Sequence, residues 1–456
     1  MDTAKIIESD HISLMEELKK DGVEYAMGCF IDVSGRCKSK IVPISELARM
    51  LAGSERYTPR GLGDLGVMTP DEEEVVALPD PATMKRVPWD RRLVWFAADM
   101  SFGGQEAFAL CPRSILKRQL DVATERGYRF NLGVEPEVYV FRPDANGRSA
   151  YLEPMSRSEK LRPTPAYDAE AALDSMPFLS RMVEHLNATG FEVYSFDSEG
   201  GDGQYEFDFA YREALVMCDQ LSFFKLMIRQ VAKQFGLEAT FMPKPYTESW
   251  GSGAHFNMSL ESLATGKNIF FDGEAGSGGP WTDEARQFAA GILRHARAIA
   301  AIATPTVNSY KRLTDRLTDG TVSWAPVWIT YGHNNRSCML RFPGNRPCIE
   351  NRAVDTAANQ YLTAAFLLRA GLEGIERGYE PGEPMETNAY LQAGGGMPRL
   401  PRTLLEAIEA FQTDPLTVEV FPKTFIDDYV AKAELEWNAY HGTVSEWERE
   451  RYLYNL

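Results

Sequence analysis

Residues 130–141, with the sequence FNLGVEPEVYVF, decide the fold of this chain. Successive side chains of a strand point to opposite faces, so Glu135 and Glu137 share one face. Apolar and aromatic neighbours such as Val134 and Tyr139 indicate that the strand is largely buried. A buried pair of like charges needs cations nearby. We therefore expect a cation-binding face on this strand, with an exposed sheet face as the alternative.

Other runs with a period of two residues lie further along the chain, separated by longer amphipathic patterns. They do not follow a strict strand–helix–strand alternation, which favours an α+β fold with an antiparallel sheet over a cleft. The predicted further strands are residues 192–196, 204–209, 239–242, 255–260 and 338–342. The predicted helices are residues 114–126, 177–188, 213–235, 283–303, 359–377 and 402–412.

The N-terminal part has shorter elements and more turns, which indicates a separate domain. A second, larger domain begins at Pro112, so we predict two domains, residues 1–111 and 112–456. The N-terminal elements are a helix at residues 12–20, a hairpin of residues 25–32 and 38–43 around Ser34-Gly35, and a strand at residues 93–98.

Composition and charge exclude several classes of function. The chain has 456 residues, with 48 Lys and Arg against 65 Asp and Glu, so its formal net charge is −17. That charge disfavours a nucleic-acid surface. The sequence shows neither a secretory signal nor an apolar run long enough to span a membrane, so we expect a cytoplasmic protein. Its six cysteines form no CxxC pair and are expected to be free thiols.

Four further residues extend the acidic constellation. Glu199 and Glu206 flank a glycine-rich loop, His255 follows Gly-Ser-Gly-Ala, and Glu350 lies in CIENR. Taken alone, His255 would more often be a structural residue. Together with Glu135 and Glu137, these residues form a set of five carboxylates and one imidazole, which suits Mg²⁺ or Mn²⁺ rather than zinc.

Arginines occur in the same regions of the chain. Arg336, Arg341 and Arg352 lie close in sequence to Glu350, and Arg312 precedes them. Carboxylate-held metals with arginines can neutralise a phosphoryl group in transfer, although the chain has no GxxxxGK[ST] loop. Scattered surface ion pairs are the alternative interpretation.

These motifs together resemble the glutamine synthetase superfamily, and they follow the family's order across most of the chain. The resembling segments are residues 133–137, 199–206, 240–245, 251–255, 308–312, 335–337 and 349–352. The resemblance implies a β-grasp-like N-terminal domain and a catalytic domain with a metal-lined antiparallel sheet. It also implies ATP, L-glutamate and two or more Mg²⁺ or Mn²⁺ ions per site, in a homo-oligomer that is a dodecamer of two hexameric rings.

The resemblance also assigns roles to residues. One metal would be held by Glu137, Glu199 and Glu206, and the other by Glu135, His255 and Glu350. Glutamate-binding positions fall on Gly251, Arg312 and Arg352, and the catalytic arginines on Arg336, Arg341 and Arg352. Nucleotide-binding positions fall on Tyr211, Asn257, Ser259 and Arg341, with Tyr211 where an aromatic ring would stack on adenine.

The sequence departs from the family pattern at positions where the family binds ammonium. Arg60 lies where ammonia-using members carry an aspartate, although Asp64 is four residues on, and Trp324 occupies the place of the flap glutamate. An ammonium cage needs negative charge, which neither residue supplies. Two smaller departures are Trp250, where many members have asparagine, and Asn257, where ammonia-using members have a second histidine.

The sequence therefore predicts an ATP-dependent ligase that joins the glutamate γ-carboxylate to an organic amine. It resembles the branch that contains γ-glutamylmethylamide and γ-glutamylanilide synthetases and the type III enzymes. A glutamine synthetase using ammonia is the first alternative, and a catalytically inactive ring-shaped member the second. Trp324, Trp328 and Tyr331 favour a nucleophile bulkier than ammonia, while packing in the core is the other interpretation of these aromatic residues. The choice between aryl and alkyl amines stays open.

Overall fold

The computed structural model describes residues 3–58, 71, 73–104, 106–143, 166–273, 281–391 and 396–454. In this part of the chain two mixed sheets and their helices form an α+β structure, as expected. The expected elements form, together with additional short strands and helices. The helix predicted at residues 12–20 begins at Thr3, and the helix predicted at residues 177–188 begins at Ala169.

The N-terminal sheet pairs its first strand with two neighbours. Strand β1 is antiparallel to β2, as the predicted hairpin requires, and parallel to β6. The order of the main strands is β2-β1-β6-β4-β3, with β5 and β7 paired to β6. The bounds are β1 Tyr25–Ile31, β2 Cys37–Pro43, β3 Arg56–Tyr57, β4 Val75–Pro79, β5 Lys85–Arg86, β6 Leu93–Phe102 and β7 Glu106–Ala107, with helices α1 Thr3–Lys20 and α2 Leu47–Leu51.

The second sheet is built around β8, Tyr128–Phe141. Its order within the described residues is β14-β15-β16-β13-β8-β10-β9, with β11 and β12 also paired to β8. All of these pairs are antiparallel except β14 with β15. The remaining bounds are β9 Val193–Ser198, β10 Gln204–Phe209, β11 Arg212–Glu213, β12 Glu238–Thr240, β13 Ala254–Ser262, β14 Tyr331–His333, β15 Leu340–Phe342 and β16 Ile349–Asn351.

Helices complete the larger part of the structure. Helix α3 begins at Pro112, a residue favoured at the first helical position because no hydrogen bond of its missing N–H is lost there. The helix bounds are α3 Pro112–Glu125, α4 Ala169–Ala188, α5 Ala214–Gln234, α6 Asp283–Arg294, α7 Ala296–Ala303, α8 Ser309–Arg312, α9 Gln360–Arg377, α10 Leu404–Thr413, α11 Thr417–Val420, α12 Lys423–His441 and α13 Glu446–Tyr452. Among these helices none is long and apolar enough to cross a membrane.

The two faces of β8 have different roles. Its even-numbered apolar residues, among them Leu132, Val134 and Val138, belong to the main hydrophobic core. Glu135 and Glu137 point to the other face, because side chains alternate along a strand. The alternation read from the sequence thus separates an apolar face that holds the fold together from a face that carries the acids.

The predicted helix at residues 283–303 is two helices, because the chain turns at His295. This residue ends α6 and precedes α7 with φ −99° and ψ 8°. Its Nδ1 lies 2.8 Å from Asp414, and its Nε2 lies 2.6 Å from Glu373. Bonds to two distant helical segments fix the turn, so the local pattern could not reveal it.

The division into residues 1–111 and 112–456 stays a prediction, since one apolar core includes residues from both parts. Buried Arg113 joins the parts through ion pairs. Its guanidinium lies 2.8 Å from Asp80 and from Asp99 of the N-terminal part, and 3.0 Å from Asp219 on α5. These contacts hold the N-terminal sheet against helices α3 and α5.

Candidate active site

The strand register places the candidate metal ligands opposite one another on the polar face of the second sheet. His255 on β13 lies opposite Glu135 on β8, and Glu206 on β10 lies opposite Glu137. Directly opposed residues on antiparallel strands have Cβ atoms only about 5 Å apart. The antiparallel pairing therefore brings the predicted metal ligands together from three strands.

The first group of candidate ligands is Glu135, His255 and Glu350, as the resemblance implied. One potential ligand atom from each lies within 4.8 Å of the others. The Nδ1 atom of His255 is 3.4 Å from Glu135 Oε2 and 3.7 Å from Glu350 Oε1. Burial and the nearby Arg352 guanidinium lower the pKa of His255, which favours the neutral imidazole that binds metals.

The second group contains Glu137, Glu206 and His255. Burial and the charge of Glu199 raise the pKa of Glu137 to about 8, and burial with neighbouring carboxylates also raises the pKa of Glu206. Burial and the crowding of carboxylates thus outweigh the opposing charges of Arg312 and Arg352 at Glu137. A hard divalent cation fits this oxygen-rich donor set.

Hydrogen bonds fix the orientation of Glu137. Its Oε2 accepts from the Gly253 amide at 3.0 Å and from Gln204 Nε2 at 2.8 Å. Glu199, expected beside Glu137 and Glu206, lines the same cavity but belongs to neither tight group. Its place as a third ligand remains a prediction.

The acidic face opens into a cavity of about 670 Å³. This volume is of the size found for ligand sites that bind small molecules. The cavity brings together most residues predicted for the site. Those that line it are Glu135, Glu137, Glu199, Glu206, Gly251, His255, Arg312, Trp324, Arg336, Arg341 and Arg352.

Glu350 is completely buried and orders two of the arginines. Its carboxylate oxygens lie 2.8 Å from Arg341 Nη1 and 2.6 Å from Arg352 Nη1. Burial alone would raise the pKa of Glu350, but the guanidinium groups of Arg352 and Arg341 hold it below its usual value. Glu350 therefore stays ionised, both as a candidate ligand and as the anchor of two guanidinium groups.

Arg312 is held against the loop that precedes β13. It donates to the carbonyl oxygens of Ala353 and Arg352, each at 3.0 Å. A Cβ atom added at Gly251 would lie 2.6 Å from Arg312 Cγ, so only glycine permits this approach. The predicted glutamate-binding residues Gly251 and Arg312 are thus in contact.

Arg336 differs from the other arginines of the cavity. Its side chain is exposed, and its guanidinium forms no hydrogen bond or ion pair with any residue that the structure describes. It is therefore free to contact an anionic group that enters the cavity.

Two tryptophans form one wall of the cavity. The rings of Trp250 and Trp324 are stacked, with centroids 6.0 Å apart and an interplanar angle of 23°. Trp324 has φ 60°, a left-handed conformation that costs energy for a residue with a Cβ atom. The opposing loop permits this arrangement at Gly200, where a Cβ atom would overlap the Trp250 ring.

Some predicted residues lie elsewhere. Tyr211, Asn257 and Ser259 do not line this cavity. Tyr211 and Asn257 meet around Gly133, where an added Cβ would be 3.3 Å and 3.6 Å from their Cβ atoms. Arg60 lies outside the described residues.

Of the two interpretations of Trp328 and Tyr331, the structure supports packing instead of a place beside the amine, because neither residue lines the cavity. Trp328 packs under Arg399, whose guanidinium is 5.3 Å from the ring centroid. Tyr331 is buried against Phe342, with ring centroids 5.4 Å apart.

Three charged residues of the cavity were not predicted from the sequence: Asp197, Asp208 and Arg346. Burial and neighbouring carboxylates raise the pKa of each aspartate to about 7. Asp208 was visible in the sequence, because it lies two residues from Glu206 along the predicted strand 204–209, whereas Asp197 follows the end of the predicted strand 192–196. Arg346 Nη1 is 2.5 Å from Glu135 Oε1, a contact that no local pattern indicates.

Residues 109–452 match the family described as "Glutamine synthetase, catalytic domain". A glutamine synthetase of Rhizobium meliloti (strain 1021) is 33% identical over 437 residues, which cover 95% of this chain and 98% of that protein. A glutamate–methylamine ligase of Methyloversatilis universalis is 34% identical over 443 residues, covering 96% of this chain and 97% of that protein.

Solved structures agree with these relatives. The structure named "GmaS/ADP complex-Conformation 1" has a TM-score of 0.88 and 32% identity, with 96% of this chain and 99% of that chain covered. "Apo GmaS without ligand" has a TM-score of 0.87 and 31% identity, with 97% and 99% covered. The similarity thus spans nearly the whole length of each protein.

Proposed function

The chain belongs to the glutamine synthetase family, and we propose that it is an ATP-dependent ligase that joins the γ-carboxylate of L-glutamate to an organic amine. The product would be a γ-glutamylamide, formed through a γ-glutamyl phosphate. The relative named glutamate–methylamine ligase and the similarity to the GmaS structures support this assignment.

The observation that carries the proposal is the stacked pair of Trp250 and Trp324 in the cavity wall. An ammonium ion is captured by fixed negative charge, whereas a neutral amine can be held by shape and apolar contact. The indole of Trp324 lies against that of Trp250 and offers apolar surface instead of a carboxylate. Arg60 stays a proposed member of the same pocket.

Glutamate would bind between the tryptophan pair and the acidic face. Arg312 and Arg352 supply the positive charge that its carboxylates require, and Gly251 leaves room for the substrate backbone. Both guanidiniums are already oriented, Arg312 by two carbonyl oxygens and Arg352 by Glu350. Because the two guanidinium groups are held in place before glutamate binds, less side-chain entropy is lost on binding.

The donor set of the acidic face fits divalent cations, and two ions are proposed. Glu135, His255 and Glu350 would hold one, and Glu137 and Glu206 with Glu199 the other. When bound, such ions neutralise charge on the phosphates and align them for transfer. Asn257, Ser259 and Tyr211 are proposed for ATP.

The reaction has two balanced steps. An oxygen of the glutamate γ-carboxylate bonds to the γ-phosphorus of ATP while the bond to ADP breaks. The amine nitrogen then attacks the acyl carbon, and inorganic phosphate leaves as the nitrogen loses a proton. Arg336 would contact the transferred phosphoryl group, because its guanidinium is the one left without partners among the described arginines of the cavity. Preorganised charge of this kind is a large source of catalysis.

Ammonia is the alternative nucleophile, since several similar proteins are named glutamine synthetase. A homo-oligomer, as a dodecamer of two hexameric rings, belongs to the proposal as well. Exposed Tyr167 and Tyr194 at the cavity support it, because a neighbouring subunit would cover such aromatic surface.

A panel of nucleophiles tests the proposed reaction. The protein is incubated with ATP, Mg²⁺, L-glutamate and ammonia, methylamine, larger alkylamines or aniline, and phosphate release and product mass are measured. We expect the mass of a γ-glutamylamide with at least one organic amine. Reactions without glutamate control for ATP hydrolysis. Glutamine as the single product of the whole panel would assign the alternative function.

A further inference from the structure

A second cavity, of about 360 Å³, lies apart from the catalytic one and shares no lining residue with it. It forms where the turn between β1 and β2 meets α5, α12 and the segment before α9. The turn is rigid, because the Arg36 amide donates to Asp32 Oδ1 at 2.8 Å and Asn359 Nδ2 donates to the Asp32 carbonyl at 2.9 Å. The walls of this cavity come from the N-terminal part of the chain, through the β1–β2 turn, and from the larger part, through α5 and α12.

The residues that line this cavity carry a net positive charge, opposite in sign to the net charge of the protein. Four cationic residues line it, Arg36, Lys225, Arg229 and Lys432, against one acid, Glu436, in a chain whose net charge is −17. Glu436 is engaged elsewhere, since its Oε1 accepts from the Val307 amide at 3.0 Å. The cavity thus concentrates positive potential at a place where it attracts anions.

Two of these cations lack a carboxylate partner. Lys225 donates to the carbonyls of Thr356 and Ala358, at 3.0 Å and 3.2 Å, and forms no ion pair with the described residues. Arg229 also forms no ion pair with them, and Arg36 is the charged group that acts on it. Burial and the neighbouring Arg229 lower the pKa of Lys225 to about 8, although the charge of Asp355 opposes this shift. Like charges held close together in this way are relieved by a bound anion.

The remaining surface of the cavity is apolar. Lys225 and Arg229 lie over the Phe241 ring, with cation-to-centroid distances of 5.5 Å and 5.1 Å. Met242 and Ile302 line the cavity beside that ring. A ligand that fills this space would combine a charged group with an apolar body.

We propose that this cavity is a binding site for a small organic dianion with an apolar or aromatic body, separate from the catalytic site. Arg229 and Lys432 would contact its anionic group, and Phe241 with Met242 its body. Phosphate monoesters and aromatic dicarboxylates share this chemistry. The site does not depend on the ligase assignment.

Calorimetric titration of the whole protein tests the site, in saturating ADP and Mg²⁺ so that a nucleotide site is already filled. The probes are phenyl phosphate, phthalate and the monoanion benzoate. We expect one site per chain with a Kd below about 1 mM for at least one dianion, and binding of benzoate at least about tenfold weaker. Preference for phenyl phosphate would identify a phosphate ester as the ligand class, and preference for phthalate a dicarboxylate.

Variants locate the binding. Arg229→Gln and, independently, Lys432→Gln should weaken dianion binding by at least about tenfold while turnover without probe is kept. The matched control is Arg181→Gln on α4, whose partner is Glu184 at 3.5 Å and which lines neither cavity. Thermal unfolding of each variant checks that it folds. No saturable binding of either dianion to the unmodified protein, or unchanged affinity in both cavity variants, would overturn the proposal.

Discussion

Glu206 lies directly opposite Glu137 in the antiparallel pairing of β10 with β8. Burial and, after it, neighbouring carboxylates raise the pKa of both residues, so the ionised pair is electrostatically unfavourable. Such a pair is retained at a cost in stability, and a divalent cation between the strands would remove that cost.

Glu206→Ala and Glu135→Ala should each lower turnover by about 100-fold or more, because the remaining ligands then hold the metal poorly. Glu184→Ala, an exposed residue on α4, is the matched control and should keep normal turnover. Steady-state phosphate release at fixed Mg²⁺, with the assembly checked by size, measures the effect. Activity within about threefold of the parent would remove that residue from the metal site.

Arg336→Lys should lose most of the turnover and change the KM for glutamate little. Lysine keeps the charge but not the planar fork that contacts two phosphoryl oxygens. Separate values of kcat and KM decide this prediction, with Arg181→Lys as control. Normal kcat in Arg336→Lys, or a large change confined to KM, would assign Arg336 another role.

His295 predicts a pH-dependent stability. Burial alone would lower its pKa, but the bonds to Asp414 and Glu373 raise it above its usual value. A raised pKa in the folded state stabilises the fold below the pKa of the unfolded chain, about 6.5, and this stabilisation disappears as the pH rises through the folded pKa. His295→Gln should therefore lower the free energy of unfolding more at pH 6 than at pH 9, by about 1–3 kcal/mol.

Denaturant unfolding of the parent and of His295→Gln at the two pH values gives the difference. His185, which is buried and whose pKa is lowered, supplies a comparison through His185→Gln. An equal loss of stability at both pH values for His295→Gln would show that this histidine is neutral in the folded protein.

The site residues that lie on strands could be predicted, because the two-residue period of a strand shows which side chains share a face. Alternation placed Glu135 and Glu137 on one face, and the same rule applied to Asp208, two residues from Glu206, would have found one more acid of the cavity. The rest depends on contacts between residues far apart in the chain. The turn at His295 rests on Glu373 and Asp414, which no local pattern can reveal.

The contact between Trp250 and Trp324 also depends on tertiary packing that the sequence does not show. The sequence indicated Trp324 as an amine-pocket residue, but not its stack with Trp250 or its left-handed backbone. Trp328 has the same side chain only four residues on, yet it packs under Arg399. Sequence composition near the flap could not distinguish these two positions, because the direction of each side chain is set by tertiary packing.

Trp324→Glu should narrow the preference for organic amines over ammonia, because it places a negative charge where ammonium would be held. We expect the ratio of kcat/KM values to fall by about threefold to tenfold. The control is Trp324→Phe, which keeps an apolar ring at this position. A glutamate at Trp328 would disturb packing and is unsuitable as a control. An unchanged ratio in Trp324→Glu would place the amine away from this residue.

The choice between an organic amine and ammonia is decided by the ratio of their kcat/KM values. This ratio is measured for the best organic amine against ammonia, with the unmodified protein at saturating ATP and glutamate. We predict a ratio of at least about 10, which requires only about 1.4 kcal/mol of differential transition-state binding. A higher kcat/KM for ammonia than for every amine of a broad panel would contradict the account and identify a glutamine synthetase.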